Sequence, residues 1–173
     1  MPAQPILLYP DPRLCVTAAP VVDFDASLSA LATDLAESLE AAQAIGLTAP
    51  HIGIPLRLVA LRLSPGETRL YVNPEILWSS DEKLRHREGS VSMPGLVEFV
   101  ERPARVRIGY RDLAGIEHVE EAEGWAAACH QHEIDQIDGL FWIFRLSRLK
   151  RERLVQRHEK LAQGNSHLYK RRR

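Results

Sequence analysis

The segment QHEIDQIDG, residues 131–139, sets an imidazole beside a carboxylate at His132 and Glu133. On a helix, residues four apart share a face, so positions 132, 133 and 136 point toward one region. A second imidazole at 136 would complete a two-histidine zinc clamp with Glu133 as general base. The chain has Gln136 there instead. Cys129 stands three residues before His132 on roughly the same face, whereas His130 is about 200° round the helix and points away. Taken alone, HEIDQ is weak evidence, because His–Glu pairs arise by chance on many solvated helices.

These residues need elements to hold them. WAAACHQHEIDQID is rich in alanine, free of proline and glycine, and stops at Gly139, which predicts a helix with a glycine C-cap. Upstream, Leu28, Leu31, Leu35 and Leu39 recur at helical spacing and predict an amphipathic helix over residues 25–43, with Asp25 or Ser27 as N-cap. The opening PILLYPDPRLCVTAAPV is a proline-punctuated extended arm. AIGLTAPHIGIP follows the first helix as a Gly/Pro loop. Residues 56–63 and 69–77 are rich in branched side chains and predict two strands joined by SPGE. ARVRIGYRDLAGIEHVEEAEG alternates around DLAG and predicts a hairpin. Trp125 and the LFWIF cluster are expected in the core. His86, His118, His158 and His167 sit in polar contexts and are expected on the surface. This element order suits a single α+β domain over residues 1–173.

Composition narrows the class. At 173 residues with 45% hydrophobic and 26% charged side chains, the chain has the make-up of one globular domain. No apolar run approaches the ~20 residues needed to span a bilayer, and no basic-then-apolar leader opens the sequence, so a cytoplasmic protein with no membrane partner is expected. Two distant cysteines, Cys15 and Cys129, fit a reducing compartment. The net charge of −1 hides an asymmetry: from Arg145 onward there are eleven Lys/Arg against two Asp/Glu. A basic helix over residues 147–164 with a disordered tail over 165–173 is expected. Its charge suits ribosomal RNA phosphates as well as it suits plain solvent.

Five motifs in order, GLTAP, VNPEI, EGSVSMPG, RPARVRI and QHEIDQIDG, resemble those of the peptide deformylases in sequence and spacing. The opening ILLYPDPRL and the later RLSRLKR are similar to that family's ends, so the resemblance runs from about residue 5 to about residue 160. It implies an α+β fold with mixed sheets wrapping a central helix, and hydrolysis of the formyl group from N-formylmethionyl nascent peptides. It implies a divalent ion, often Fe(II) or Zn(II), held by two histidines and a cysteine, and for some members ribosome docking through a C-terminal helix. By the same resemblance Glu133 is the general acid/base and His132 the first metal histidine. Ser90 stands at the metal cysteine, Gln136 at the second metal histidine, and His51 at the glutamine that polarises the formyl oxygen. Thr48 replaces an alanine and Ala44 a glycine of the first motif. The Val91 backbone N–H falls at the oxyanion position, and Gly46, Gly89 and Ser90 fall in the substrate pocket.

The exchanges alter the chemistry expected. Catalytic zinc sites keep three protein ligands and one water, and thiolate and imidazole are the donors that hold such an ion. Ser90 is a neutral alcohol and Gln136 a neutral amide. The expectation is no resident cofactor, with any Zn or Fe(II) held weakly, and a degenerate member that retains peptide or ribosome binding. The alternative is an active metal-dependent amide hydrolase whose site is rebuilt from His51, His132 and Glu133. A metal-free Ser90–His132 nucleophile pair is a further arrangement the pattern allows.

Overall fold

The computed structural model of the chain describes residues 4–170. Three helices, α1 (Ala26–Ala41), α2 (Gly124–Ile137) and α3 (Arg148–Lys170), accompany seven strands. These are β1 (Gly46–Thr48), β2 (Leu58–Ser64), β3 (Glu67–Ser79), β4 (Lys83–Gly89), β5 (Val97–Pro103), β6 (Arg105–Arg111) and β7 (Glu117–Glu123). Five strands form one antiparallel sheet in the order β1-β2-β3-β6-β7, and β4 with β5 forms a separate ribbon. Helix α2 packs against all seven strands, so it is the central element of an α+β fold.

Helix ends follow from local chemistry. Asp25 caps α1 by accepting from the N–H groups of Ser27 and Leu28, at 2.9 and 3.1 Å. At the other end α1 stops two residues before the Gln43 expected from periodicity. Gln43 adopts a left-handed φ of 51°, its N–H donates to Glu40 and the Ala44 N–H donates to Leu39. That paired closure satisfies the last carbonyls and turns the chain into β1. Helix α2 ends the same way: Gly139 has φ +79°, its N–H meets the Gln136 carbonyl, and the Leu140 N–H meets Asp135.

The two strands expected from branched residues appear as β2 and β3, and the DLAG hairpin expected from alternation as β6–β7. The β4–β5 ribbon shows no hydropathy alternation, because Val97 and Phe99 lie on its exposed side while Glu88 and Arg102 are buried, and it flanks the SVSMPGL turn. The GLT of the expected loop is a short strand, since β1 pairs with β2 across Gly46↔Leu61 and Thr48↔Val59. The basic helix does not stop at Gly164–Asn165: α3 runs on to Lys170, so most of the segment expected as a disordered tail is helical. Residues 171–173 of that tail lie outside the described residues. Leu154 buries α3 against Trp142 and Phe141. Among the described residues, no helix is long and apolar enough to cross a membrane.

Candidate functional site

A cleft of about 280 Å³ opens where β1, the end of β4 with its following turn, and α2 converge. His51, Gly46, Gly89, Ser90, Val91, His132 and Glu133 all line it, as does Cys129. The topology explains the meeting. Gly46 lies on edge strand β1, His51 on the 3-10 turn Ala49–Ile52, Gly89 closes β4, and His132 and Glu133 face both from α2. Gly46 leaves room for the Glu133 carboxylate, because a Cβ there would run into Glu133 Oε1 and force that side chain to shift.

Gln136 is the sequence-predicted position that does not join them. It is buried, is not part of the cleft lining, and its Nε2 donates to the Leu14 carbonyl at 2.7 Å. The amide thus ties α2 to the N-terminal arm, a task a three-and-four spacing argument could not reveal. Ser90 is also engaged: its hydroxyl accepts from the Ser92 N–H at 3.1 Å. Among the described residues no hydrogen bond joins Ser90 to His132, so the nucleophile pair considered from sequence does not form.

His132 is held by a chain of buried charge. Its Nδ1 lies 2.9 Å from the Glu88 Oε2. Arg102 grips Glu88 with two nitrogens at 2.6 and 2.9 Å and reaches Asp135 at 2.7 Å, and Arg145 pairs with Asp135 from the surface. Burial alone would raise the Glu88 carboxyl, but the bonds from Arg102 and His132 overcome it and pull it down to about 2. Burial likewise opposes charge on His132, and the Glu88 bond together with the nearby Glu133 carboxyl raises it above its ordinary value. The resulting arrangement, a carboxylate on Nδ1, directs the other ring nitrogen toward the cleft.

The facing wall is different. His51 is buried, its Nδ1 accepting from the Thr48 N–H at 3.0 Å with the Thr48 hydroxyl 2.9 Å away, and its Nε2 has no partner. Burial, with His132 nearby, pulls its pKa down to about 3, so the ring is neutral. Glu133 is buried as well, its Oε2 unpartnered, and burial, reinforced by the Glu88 charge against the opposing His132 and Arg102, pushes it up to about 7. Cys129 is driven up to about 12 by burial and by Glu133 and Glu88, leaving a neutral thiol.

Several contributors escaped the sequence reading. Trp125, expected in the core, is 45% exposed and rims the cleft with Ile45. An amphipathic helix start puts its first residue outside the packed face, and a lone tryptophan carries no signal for this. His86, expected on the surface, is half-buried at the same rim beside Arg87. His118 is exposed as expected and bonds Asp112, His158 is half-buried against Tyr9, and the side chain of His167 lies outside those described. Of LFWIF, Phe141, Trp142 and Ile143 are core and Phe144 is half-exposed. His130 points away as expected, packed on Tyr71 with Glu120 at 3.3 Å.

This donor set does not fit a tightly held transition metal. One imidazole at His132, an alcohol already accepting a bond, and an amide turned onto the Leu14 carbonyl offer neither the thiolate nor the second imidazole such an ion requires. Among the described residues no group of three His, Cys, Asp or Glu side chains is disposed to hold a metal ion. What the cleft offers is a shaped, partly apolar recess with unpartnered polar atoms at its base, the usual make-up of a small-ligand or chain-end site.

The sequence pattern of the polypeptide deformylases matches residues 3–152. A protein of Brucella melitensis described as peptide deformylase-like is 57% identical over 162 residues, covering 93% of this chain and 99% of its own. The peptide deformylase of Phenylobacterium zucineum is 42% identical over 168 residues, covering 95% and 99%. The crystal structure of a peptide deformylase from Legionella pneumophila superposes with a TM-score of 0.88 at 35% identity, over 95% of this chain and 98% of that one. The chain therefore belongs to the polypeptide deformylase family.

Proposed function

We propose that this family member receives the N-formylmethionyl end of a peptide and has lost rapid deformylation. The Gln136 amide on the Leu14 carbonyl carries this reading: the side chain at the second metal-histidine position is committed to the fold. Without a bound Lewis acid, water keeps its ordinary weak acidity, and one carboxylate acting as general base supplies only about 10²–10⁴-fold. The remaining residues still suit binding. Ile45 and Trp125 offer apolar surface at the mouth, and His51, at the formyl-polarising position by the family resemblance, lines the cleft. A cytoplasmic setting follows from that reading.

Elemental analysis of protein purified without added metal, paired with a formyl-Met-peptide assay in Fe(II), Zn(II), Ni(II) and Co(II), tests it. The expected result is no stoichiometric metal and turnover at the buffer rate, with saturable peptide binding. Chelator-sensitive turnover that Glu133→Gln abolishes would overturn the reading. Joint back-substitution Ser90→Cys, Gln136→His and His51→Gln is expected to restore metal uptake and turnover together.

The ribosome reading rests on α3. Arg153, Arg157 and Lys160 fall at three-and-four spacing and are all exposed, while Leu154, about a quarter turn away, is buried. Replacing those three by Glu leaves the buried face intact. Co-sedimentation with ribosomes should fall, and its salt slope should flatten by roughly one per lost phosphate contact. Equal pelleting of both forms would reject the docking.

A further inference from the structure

The first motif of this chain departs from the family pattern at two positions that touch each other. Thr48 stands where the resemblance places alanine, and His51 where it places glutamine. The two side chains form a reciprocal cap on the 3-10 turn. The Thr48 backbone N–H lies 3.0 Å from the His51 Nδ1, and the Thr48 hydroxyl oxygen is 2.9 Å from the same nitrogen. A backbone N–H only donates, so Nδ1 must present its lone pair. In a neutral imidazole the proton then sits on Nε2. That nitrogen is buried without a partner, on a side chain that is 1% exposed and lines the cleft.

We propose that Thr48 and His51 act as one unit: Thr48 is a positioning residue that locks His51 as an Nε2–H donor, so the cleft is built to take a hydrogen-bond-accepting oxygen, carbonyl or carboxylate, and His51 is barred from serving as a metal ligand. Coordination through Nε2 needs the lone pair there, which moves the ring proton to Nδ1. Nδ1–H could then turn only to the Thr48 hydroxyl oxygen at 2.9 Å, and the Thr48 N–H, 3.0 Å away, would lose its acceptor. Leaving a buried backbone donor unpaired in this way is costly. The lock therefore argues against rebuilding a cation site around His51, although the type of residue alone would favour one. It also rules out His51 as a base at the cleft, because the accepting nitrogen faces away from it. An unsatisfied buried donor is a poor resting state in any protein, and an acceptor oxygen on the ligand resolves it.

The proposal rests on the binding reading above for the peptide source of that oxygen, and not for the tautomer. Two-bond proton–nitrogen correlation spectra of the full ¹⁵N-labelled chain report the tautomer of each of its seven histidines, with His51→Gln deleting the His51 signals for assignment. The expected His51 pattern is Nε2-protonated at neutral pH and unchanged when Zn(II) is added. Formate and N-formyl-Met-Leu-Phe serve as carboxylate and amide probes, with unformylated Met-Leu-Phe as control. A shift of the Nε2–H signal with the formyl peptide identifies a carbonyl source. A shift with formate alone supports the acceptor site and overturns the formyl-peptide reading. An Nδ1-protonated His51, loss of the Nε2–H signal on adding Zn(II), or indifference to both probes overturns the proposal. Thr48→Val should weaken binding of the effective probe by about 3–10-fold, the size of one net hydrogen bond, and broaden the Nε2–H signal. Thr48→Ser should restore both, an outcome that a purely structural threonine would not give.

Discussion

Glu88 and Glu133 are two buried carboxyls beside the same imidazole, yet their acidities are driven apart, to about 2 and about 7. The difference lies in what surrounds them. Glu88 meets a guanidinium through two bonds and an imidazole through a third. Glu133 has His132 nearby but leaves one oxygen buried with no hydrogen bond. The wall around Glu88 is closed, every charge answered from Arg145 through Asp135 and Arg102 to His132. The wall around Glu133 and His51 is open. Satisfied groups hold a structure in place, and unsatisfied ones wait on a ligand. The closed wall thus fixes the ring of His132, and the open wall leaves Glu133 and His51 facing the cleft.

The closed wall breaks most severely. Arg102→Met leaves Glu88 and Asp135 buried without their shared partner, and breaking a buried pair costs about 3–5 kcal/mol. Urea denaturation should show that loss as a lower midpoint. Adding Glu88→Gln should recover part of it by removing one of the stranded charges. If Arg102→Met changed stability by less than about 1 kcal/mol, within the range of an exposed ion pair, the closed wall would not be the frame described.

A smaller effect sharpens the open wall. Gly46→Ala drives a methyl into the Glu133 carboxylate, and overpacking of this kind costs about 1–3 kcal/mol. In a background of Glu133→Ala the obstructing carboxylate is gone, and most of that cost should vanish. A double-mutant cycle reads the coupling directly, with about 0.5–3 kcal/mol expected for residues in contact. Additive costs would mean that the carboxylate does not lie over Gly46.

The two walls were unequally legible from sequence. Local patterns sufficed for α1, β2, β3, the β6–β7 hairpin and α2: leucine spacing for α1, branched residues for β2 and β3, alternation for the hairpin, and an alanine-rich run ended by Gly139 for α2. The ordered motifs then brought His51, Gly46, Gly89, Ser90, Val91, His132 and Glu133 to one place. What stayed hidden was long-range or atomic. The Leu14 carbonyl that occupies Gln136 lies 122 residues away in sequence. The β4–β5 ribbon buries Glu88 and Arg102 and leaves Val97 and Phe99 exposed, so its burial period does not show in hydropathy. Trp125 and His86 reach the cleft through their position on the assembled rim. The run of α3 past Gly164 shows that a single Gly–Asn pair lowers helix propensity by about 1 kcal/mol without ending a long helix.

Proton linkage separates the two orphaned groups of the open wall by sign. His51 has its ordinary value near 6.5 lowered to about 3, by burial and by His132. Between those values the unfolded chain binds a proton that the folded chain refuses, so this contribution is present above pH 6.5 and is lost on acidification. Glu133 has its ordinary value near 4.5 raised to about 7, chiefly by burial. There the folded chain keeps a proton the unfolded chain has released, so its contribution is present below pH 4.5 and is lost as pH rises toward 7. Over pH 4.5–6.5 the two slopes oppose, each at most about 1.4 kcal/mol per pH unit for one proton. Glu88, held down by Arg102 and His132, adds a rising slope at the low edge of that window, and His132, raised by Glu88 and Glu133, a falling one at its upper edge; both side chains are present in all three proteins. Buried His130, lowered by burial, adds to the His51 side in every variant and cancels in a comparison. His51→Gln should therefore make stability fall more steeply, or rise less, as pH goes from 4.5 to 6.5, whereas Glu133→Gln should shift the slope the opposite way. Urea midpoints at pH 4.5, 5.5 and 6.5 for the three proteins decide it. Parallel curves would place both groups in contact with water or with each other and would close the wall that is described here as open.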